Sequence, residues 1–190
     1  DDILSSAEDR RQTFADFKLA PPLQEAILNL GFEFCTPIQA QSLVHTLEGH
    51  DVTGRAQTGT GKTIAFLLTI LNDLLNNPVE DRYVAEPRAL IIAPTRELAI
   101  QIATDANMLT EFCNIHVVTL VGGEEYKKQL DALEKKAVDI VVATPGRLLD
   151  FATNENIYLG LVELLVLDEA DRMLDMGFIP QVRRVLAQTP

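Results

Sequence analysis

The sequence predicts an α/β domain on a mostly parallel central sheet with helices on both faces. Three observations carry that prediction. Apolar strand-like runs alternate with helical stretches over most of the chain, a glycine-rich turn joins one such strand to one such helix, and 190 residues at 47% hydrophobic content suffice for one sizeable core. Strands separated by helices of this length imply βαβ units and a parallel sheet.

Residues 1–13 are acidic and serine-containing, with Arg10-Arg11 near their end, and read as an N-terminal tail; the folded domain is expected over 14–190. Pro21-Pro22 opens a helix with Leu23, Ala26, Ile27 and Leu30 on one face, and Gly31 closes it at C′. Thr36 can cap a second helix with Pro37 first, leading into Ile38 to Leu47. The expected strands are Asp51–Arg55, Ala89–Ala93, His116–Val121, Val138–Ala143 and Leu164–Leu167. Between them lie expected helices at Lys62–Asn76, Glu97–Phe112, Glu124–Lys135 and Gly146–Ala152, with a last one from about Ala170. The polar stretch Asn76–Arg88 is expected as a surface loop, and Met173, Leu174, Met176 and Phe178 as core-facing residues.

Composition removes several classes. Cys35 and Cys113 are far apart without CxxC spacing, so neither a disulfide framework nor a zinc site is indicated, and a reducing, cytoplasmic setting follows. No apolar run reaches membrane-spanning length. There is no Gly-x-Ser-x-Gly elbow, and His45 and His50 have no carboxylate geometry to recommend a metal. The net charge of −12 by itself argues against nucleic acid, although a local groove depends on where a few donors lie and not on the total.

The chemistry sits at strand ends, where open parallel sheets bind ligands. Ala56-Gln57-Thr58-Gly59-Thr60-Gly61-Lys62-Thr63 reads as a phosphate cradle: the glycines let backbone N–H groups turn inward, Lys62 supplies a point charge, and the Thr63 hydroxyl suits Mg²⁺. Ala56 departs from the usual first glycine, and the competing reading is a flexible loop before a core helix. Asp168-Glu169-Ala170-Asp171 ends a buried strand; carboxylates there need a cation or donors, so Asp168 suits Mg²⁺ and Glu169 an attacking water. The alternative is an acidic helix N-terminus. Pro94-Thr95-Arg96, Gly122-Gly123 and Thr144-Pro145-Gly146-Arg147 each offer backbone amides or arginines. From the residues alone they are as readily ordinary strand-to-helix turns as a track for a single-stranded backbone.

Taken together, Gly31-Phe32 with Thr36-Pro37-Ile38-Gln39, Ala56–Thr63, Pro94-Thr95-Arg96-Glu97-Leu98, Thr144–Arg147 and Asp168–Asp171 resemble, in order and spacing, the Q motif and motifs I, Ia, Ib and II of DEAD-box RNA helicases, a family whose motif I begins with Ala. The resemblance covers about Phe14 to Pro190 and implies a RecA-like P-loop domain that uses ATP and Mg²⁺. It assigns ATP to Phe14, Thr36, Gln39 and Ala56 through Thr63, with Phe14 on the adenine face and Gln39 at its edge. It assigns Mg²⁺ to Thr63 and Asp168, and catalysis to Lys62, Asp168 and Glu169. RNA falls to Pro94, Thr95, Arg96, Gly122, Gly123, Thr144, Pro145, Gly146 and Arg147. Cys35-Thr36-Pro37-Ile38-Gln39 and the loop Asn76–Arg88 are similar to one bacterial branch, which implies a ribonuclease E-type RNA degradation complex as partner. The Ser-Ala-Thr motif and the second RecA-like domain of the family do not occur before Pro190, so the resemblance implies that this chain alone binds nucleotide weakly and is nearly inactive in hydrolysis and unwinding. The rivals are a P-loop motor or switch acting on protein, and a binding module that retains the ATP site.

Overall fold

Backbone hydrogen bonding in the computed structural model, which describes residues 13–32, 35, 36, 39, 43 and 62–190, builds one four-stranded sheet. β1 (Ala89–Ile92) lies between β3 (Ile140–Ala143) and β4 (Leu164–Leu167), and β2 (Val117–Leu120) flanks β3, giving the order β2-β3-β1-β4. Every pair is parallel, and Ala89 stands opposite both Ile140 and Leu164. The expected strand Asp51–Arg55 lies outside the described residues.

β1 and β3 read Ala-Leu-Ile-Ile and Ile-Val-Val-Ala, unbroken apolar runs in place of an alternating pattern, because both faces of a parallel sheet are covered. Leu90, Ile92, Val118, Leu120, Val141 and Ala143 share one face and form a core with Leu133, Leu148, Phe151, Met173, Val182 and Val185. Ala89, Ile91, Ile140 and Val142 point the opposite way and are equally buried.

The chain forms two compact units, one of Asp1–Asn76 with Met108–Cys113 and one of Asn77–Asn107 with Asn114–Pro190. In the first, α1 (Pro21–Asn29) begins on its two prolines and ends before Gly31, where the Phe32 N–H reaches back to the Ile27 carbonyl. The Ala20 N–H donates to Asn72 Oδ1 at 2.8 Å, fastening α1 to α2 (Lys62–Asn76). The second unit holds the sheet with α3 (Arg96–Leu109) as far as Asn107, α4 (Tyr126–Lys135), α5 (Pro145–Thr153), α6 (Ala170–Asp175) and α7 (Ile179–Leu186).

Three expectations need correction. The helix from Ala170 is two helices, because Gly177 takes a left-handed φ of +77° and the Phe178 N–H closes on the Met173 carbonyl, a turn that ends α6. The break also dissolves the expected apolar stripe: Met173 is buried, whereas Leu174 and Met176 are 63% and 45% exposed. β4, expected as a buried strand, is only partly buried, with Leu165 40% exposed, since it is the last strand on its side of the described sheet. The expected helix from Pro37 through Leu47 lies mostly outside the described residues, and the other described elements shift only in their boundaries. Helix α3 starts at Arg96 and not Glu97 because Thr95 Oγ1 accepts the Leu98 N–H at 3.2 Å and fixes the cap one residue earlier.

The loop before β1 lies at the surface, with Tyr83 75% exposed, but it is fastened from below. Arg82 pairs with Asp139 Oδ1 and donates to the carbonyls of Val138 at 2.6 Å and Glu86 at 3.1 Å, while Asp139 Oδ2 accepts the His116 N–H at 2.8 Å. One ion pair thus holds the loop against the starts of β2 and β3. With both side chains about seven-eighths buried, 13% and 15% exposed, Arg82→Ala strands a buried carboxylate. We expect it to lower unfolding free energy in urea by about 3 kcal/mol, and a loss below about 1 kcal/mol would show that the pair is not the loop's anchor.

Candidate functional site

In-register parallel strands oblige four turns to emerge along one edge of the sheet. Ala93 N–H bonds the Ala143 carbonyl, Thr144 N–H the Leu120 carbonyl and Asp168 N–H the Ile92 carbonyl, at 2.9, 3.0 and 2.9 Å. Pro94-Thr95-Arg96, Gly122-Gly123, Thr144–Arg147 and Asp168-Glu169 therefore share that edge, as the sequence reading requires of a single site.

Three of the four turns are tied around residues 122–129. Arg96 Nη2 pairs with Glu124 Oε1 at 3.3 Å, and Gly123 has φ +77° with Arg96 Nη1 only 3.0 Å from where a Cβ would lie. The left-handed φ favours glycine there, and a side chain would in addition displace the tip of Arg96. Arg147 Nη1 donates to the Glu124 carbonyl at 3.1 Å and to Gln129 Oε1 at 3.2 Å, and its guanidinium lies 5.6 Å from the Tyr126 ring centroid. Thr144 stands at the N-cap of α5 with Pro145 first, as expected, although its hydroxyl makes no capping bond.

At the fourth turn Asp168 is 5% exposed, and its Oδ1 accepts the Glu169 N–H at 3.1 Å. Glu169 has φ 52° and ψ 50°, left-handed values that cost a non-glycine residue about 1–2 kcal/mol. Its carboxylate meets Arg172 Nη1 at 3.4 Å. The strained turn ends β4 abruptly and starts α6 with Glu169 as cap.

In the first unit, Lys62 and Thr63 occupy the first two positions of α2, both half-buried; Ala56, Gln57, Thr58, Gly59, Thr60 and Gly61 lie outside the described residues. Thr36 and Gln39 form a reciprocal capping box: Thr36 Oγ1 accepts the Gln39 N–H at 3.3 Å, and Gln39 Oε1 accepts the Thr36 N–H at 2.9 Å. Phe14 is 2% exposed with its ring 6.5 Å from that of Phe32, so in this conformation it faces protein. Burial, with Asp16 adding to it, pushes the Cys35 thiol up to about 11, which keeps it neutral and removes it as a nucleophile.

Sequence reasoning missed Gln129 and Tyr126. Gln129 is buried and its Nε2 donates to the Val121 carbonyl at 2.9 Å; Tyr126 stacks on Phe151 at 4.2 Å. The available signal was a polar residue at an inward position of α4, beside the buried Leu133 four residues on.

Known proteins bear on this arrangement directly. Over 184 residues the chain is 59% identical to an ATP-dependent RNA helicase RhlB of Pseudomonas aeruginosa, covering 96% of this chain and 46% of the relative. It is 58% identical to the RhlB of Pseudomonas putida over the same shares, and 51% identical to that of Yersinia pestis over 94% of this chain and 42% of the relative. The chain thus spans about half the length of the curated relatives it matches. The DEAD/DEAH box helicase profile matches residues 36–190, from the Thr36–Gln39 capping box through the strained Asp168-Glu169 turn to Pro190. A profile match over residues 36–190, with relatives of this identity over nearly the whole chain, establishes that the chain belongs to the DEAD/DEAH box helicase family.

Proposed function

We propose that this chain is the nucleotide-binding half of an ATP-dependent RNA helicase, a domain over 14–190 preceded by a short tail, which works with a second RecA-like domain to open short RNA duplexes. The observation that carries the proposal is the shared sheet edge: the Asp168-Glu169 turn and the arginine- and glycine-bearing turns leave the same ends of the four parallel strands of one sheet. Phosphoryl transfer and grip on a phosphate backbone can therefore be linked through one rigid element.

On this reading Ala56 through Thr63 wrap the phosphates, and Lys62 meets their charge. Gln39 reads the adenine edge beside Thr36, and Phe14 covers the base. A glutamine amide presents an acceptor and a donor that match N6 and N7 of adenine. Its Oε1 already accepts the Thr36 N–H, and the second lone pair of an amide oxygen leaves room for the base. Magnesium fits the donor chemistry of Thr63 and Asp168, a hydroxyl and a carboxylate, and when bound it neutralises charge developing on the phosphates. Glu169, aimed by its left-handed backbone, orients the attacking water.

Pro94, Thr95, Arg96, Gly122, Gly123, Thr144, Pro145, Gly146 and Arg147 hold the RNA backbone through phosphate and sugar without reading bases. Cys35 and Cys113, far apart in the sequence and without CxxC spacing, suit a reducing cytoplasm, and no helix among the described residues is long and apolar enough to cross a membrane. The likeness in the Cys35–Gln39 stretch extends the proposal to a ribonuclease E-type RNA degradation complex as partner.

The division of labour is tested in the full-length protein. Lys62→Ala is expected to weaken ATP binding at least about tenfold, whereas Glu169→Gln keeps ATP affinity and lowers RNA-stimulated turnover by about a hundredfold or more. Equal loss of nucleotide binding in both contradicts the assigned roles. Gln39 separates structure from recognition. Gln39→Glu preserves the capping box and hence thermal stability, yet cannot donate to N7, so it is expected to reduce the preference for ATP over GTP by about tenfold. Unchanged discrimination in fluorescence competition removes Gln39 as the adenine reader.

A further inference from the structure

We propose that Gln129 is a positioning residue that locks Arg147 and the Gly122–Glu124 turn into one preassembled phosphate-binding surface. The inference rests on the RNA reading given above and concerns how that surface is made.

Gln129 is 6% exposed and uses both ends of its amide on separate parts of the fold. Nε2 donates to the carbonyl of Val121, the residue leading into the glycine turn, at 2.9 Å; Oε1 accepts from Arg147 Nη1, in the first turn of α5, at 3.2 Å. The same Nη1 closes on the Glu124 carbonyl at 3.1 Å, so turn, glutamine and arginine form one closed set of bonds. The other side of the guanidinium is fixed as well. Tyr126, 5.6 Å away, is stacked on Phe151 at 4.2 Å, and its hydroxyl accepts from Asn156 Nδ2 at 2.7 Å and Asn154 Nδ2 at 3.2 Å.

Among the described residues both hydrogen bonds of Arg147 fall on Nη1, which leaves Nη2 and Nε as donors for a phosphate. An unsupported surface arginine must give up its rotamer freedom when it binds; one held in place beforehand has already given it up. Gln129 is therefore expected to raise affinity for RNA without touching it, and to leave the nucleotide alone.

The test uses the full-length protein, ATP and a single-stranded oligouridylate, reading the RNA concentration for half-maximal ATPase stimulation separately from the KM for ATP. Gln129→Met keeps length and volume but removes both bonds. It is expected to raise that RNA concentration by up to about tenfold, the size of ordering one rotamer-rich side chain on binding, with KM for ATP unchanged within about twofold. Because Gln129 acts through Arg147, adding Gln129→Met to Arg147→Ala is expected to cause no further loss. Multiplying losses in the double variant, or an unchanged RNA requirement in Gln129→Met while Arg147→Ala weakens RNA, overturns the positioning role. If Arg147→Ala itself leaves RNA stimulation intact, the RNA reading of this edge fails and the inference falls with it. Should Gln129→Met not fold, Gln129→Asn keeps the amide on a stem too short to reach both partners, and the same outcomes apply.

Discussion

Parallel strand pairing is the constraint on which everything else in this chain depends. Once β1, β3, β4 and β2 align with Ala89 opposite Ile140 and Leu164, and Val117 opposite Ile140, their ends are level, and whatever follows each strand is delivered to a common edge. The bonds from Ala93, Thr144 and Asp168 to neighbouring strands extend that alignment by one residue into the turns. A slip of one residue would move Asp168 away from its neighbours and turn the strand's apolar residues to the wrong face. The buried runs at β1 and β3 thus supply stability and also fix the site's geometry.

On that edge the chain is strained and fastened in different places. Glu169 holds a left-handed backbone beside a buried carboxylate, an arrangement that costs stability and persists because β4 and α6 fix both of its sides. The neighbouring turns are secured by hydrogen bonds through Glu124, Gln129 and Tyr126. On the proposed reading, local donors and not total charge would give this edge its affinity for phosphate, so the net charge of −12 does not exclude a nucleic-acid surface.

Much of this was legible in the sequence, for reasons that differ by residue. Leu164–Leu167 and Lys62–Asn76 have the predicted bounds because a short apolar run closed by carboxylates and a long amphipathic run opened by Gly-Lys-Thr are strong local signals. Thr36 before Pro37 was visible as a helix start, whereas the return bond from Gln39 Oε1 was not read. The break at Gly177 was not foreseen, because an apolar pattern around it suggested one continuous helix, and the exposure of Leu174 and Met176 followed from that break. The bonds of Gln129 and Tyr126 and the Arg82–Asp139 pair were not read, since their partners lie 8 to 57 residues away and only tertiary packing brings them together, although the inward position of Gln129 on α4 left a trace in the sequence.

The central claim is that this single edge, on an acidic chain, is where a nucleic-acid backbone binds. The most direct measurement is amide chemical-shift perturbation in this chain on titration with a single-stranded oligouridylate at low salt. Binding at this edge is expected to give concerted shifts at Thr95 to Leu98, Gly122 to Glu124, and Gly146 and Arg147, fading together as salt rises. Shifts confined to the exposed Lys127, Lys128, Lys135 and Lys136 of α4 and its end, with the turn amides silent, would contradict it.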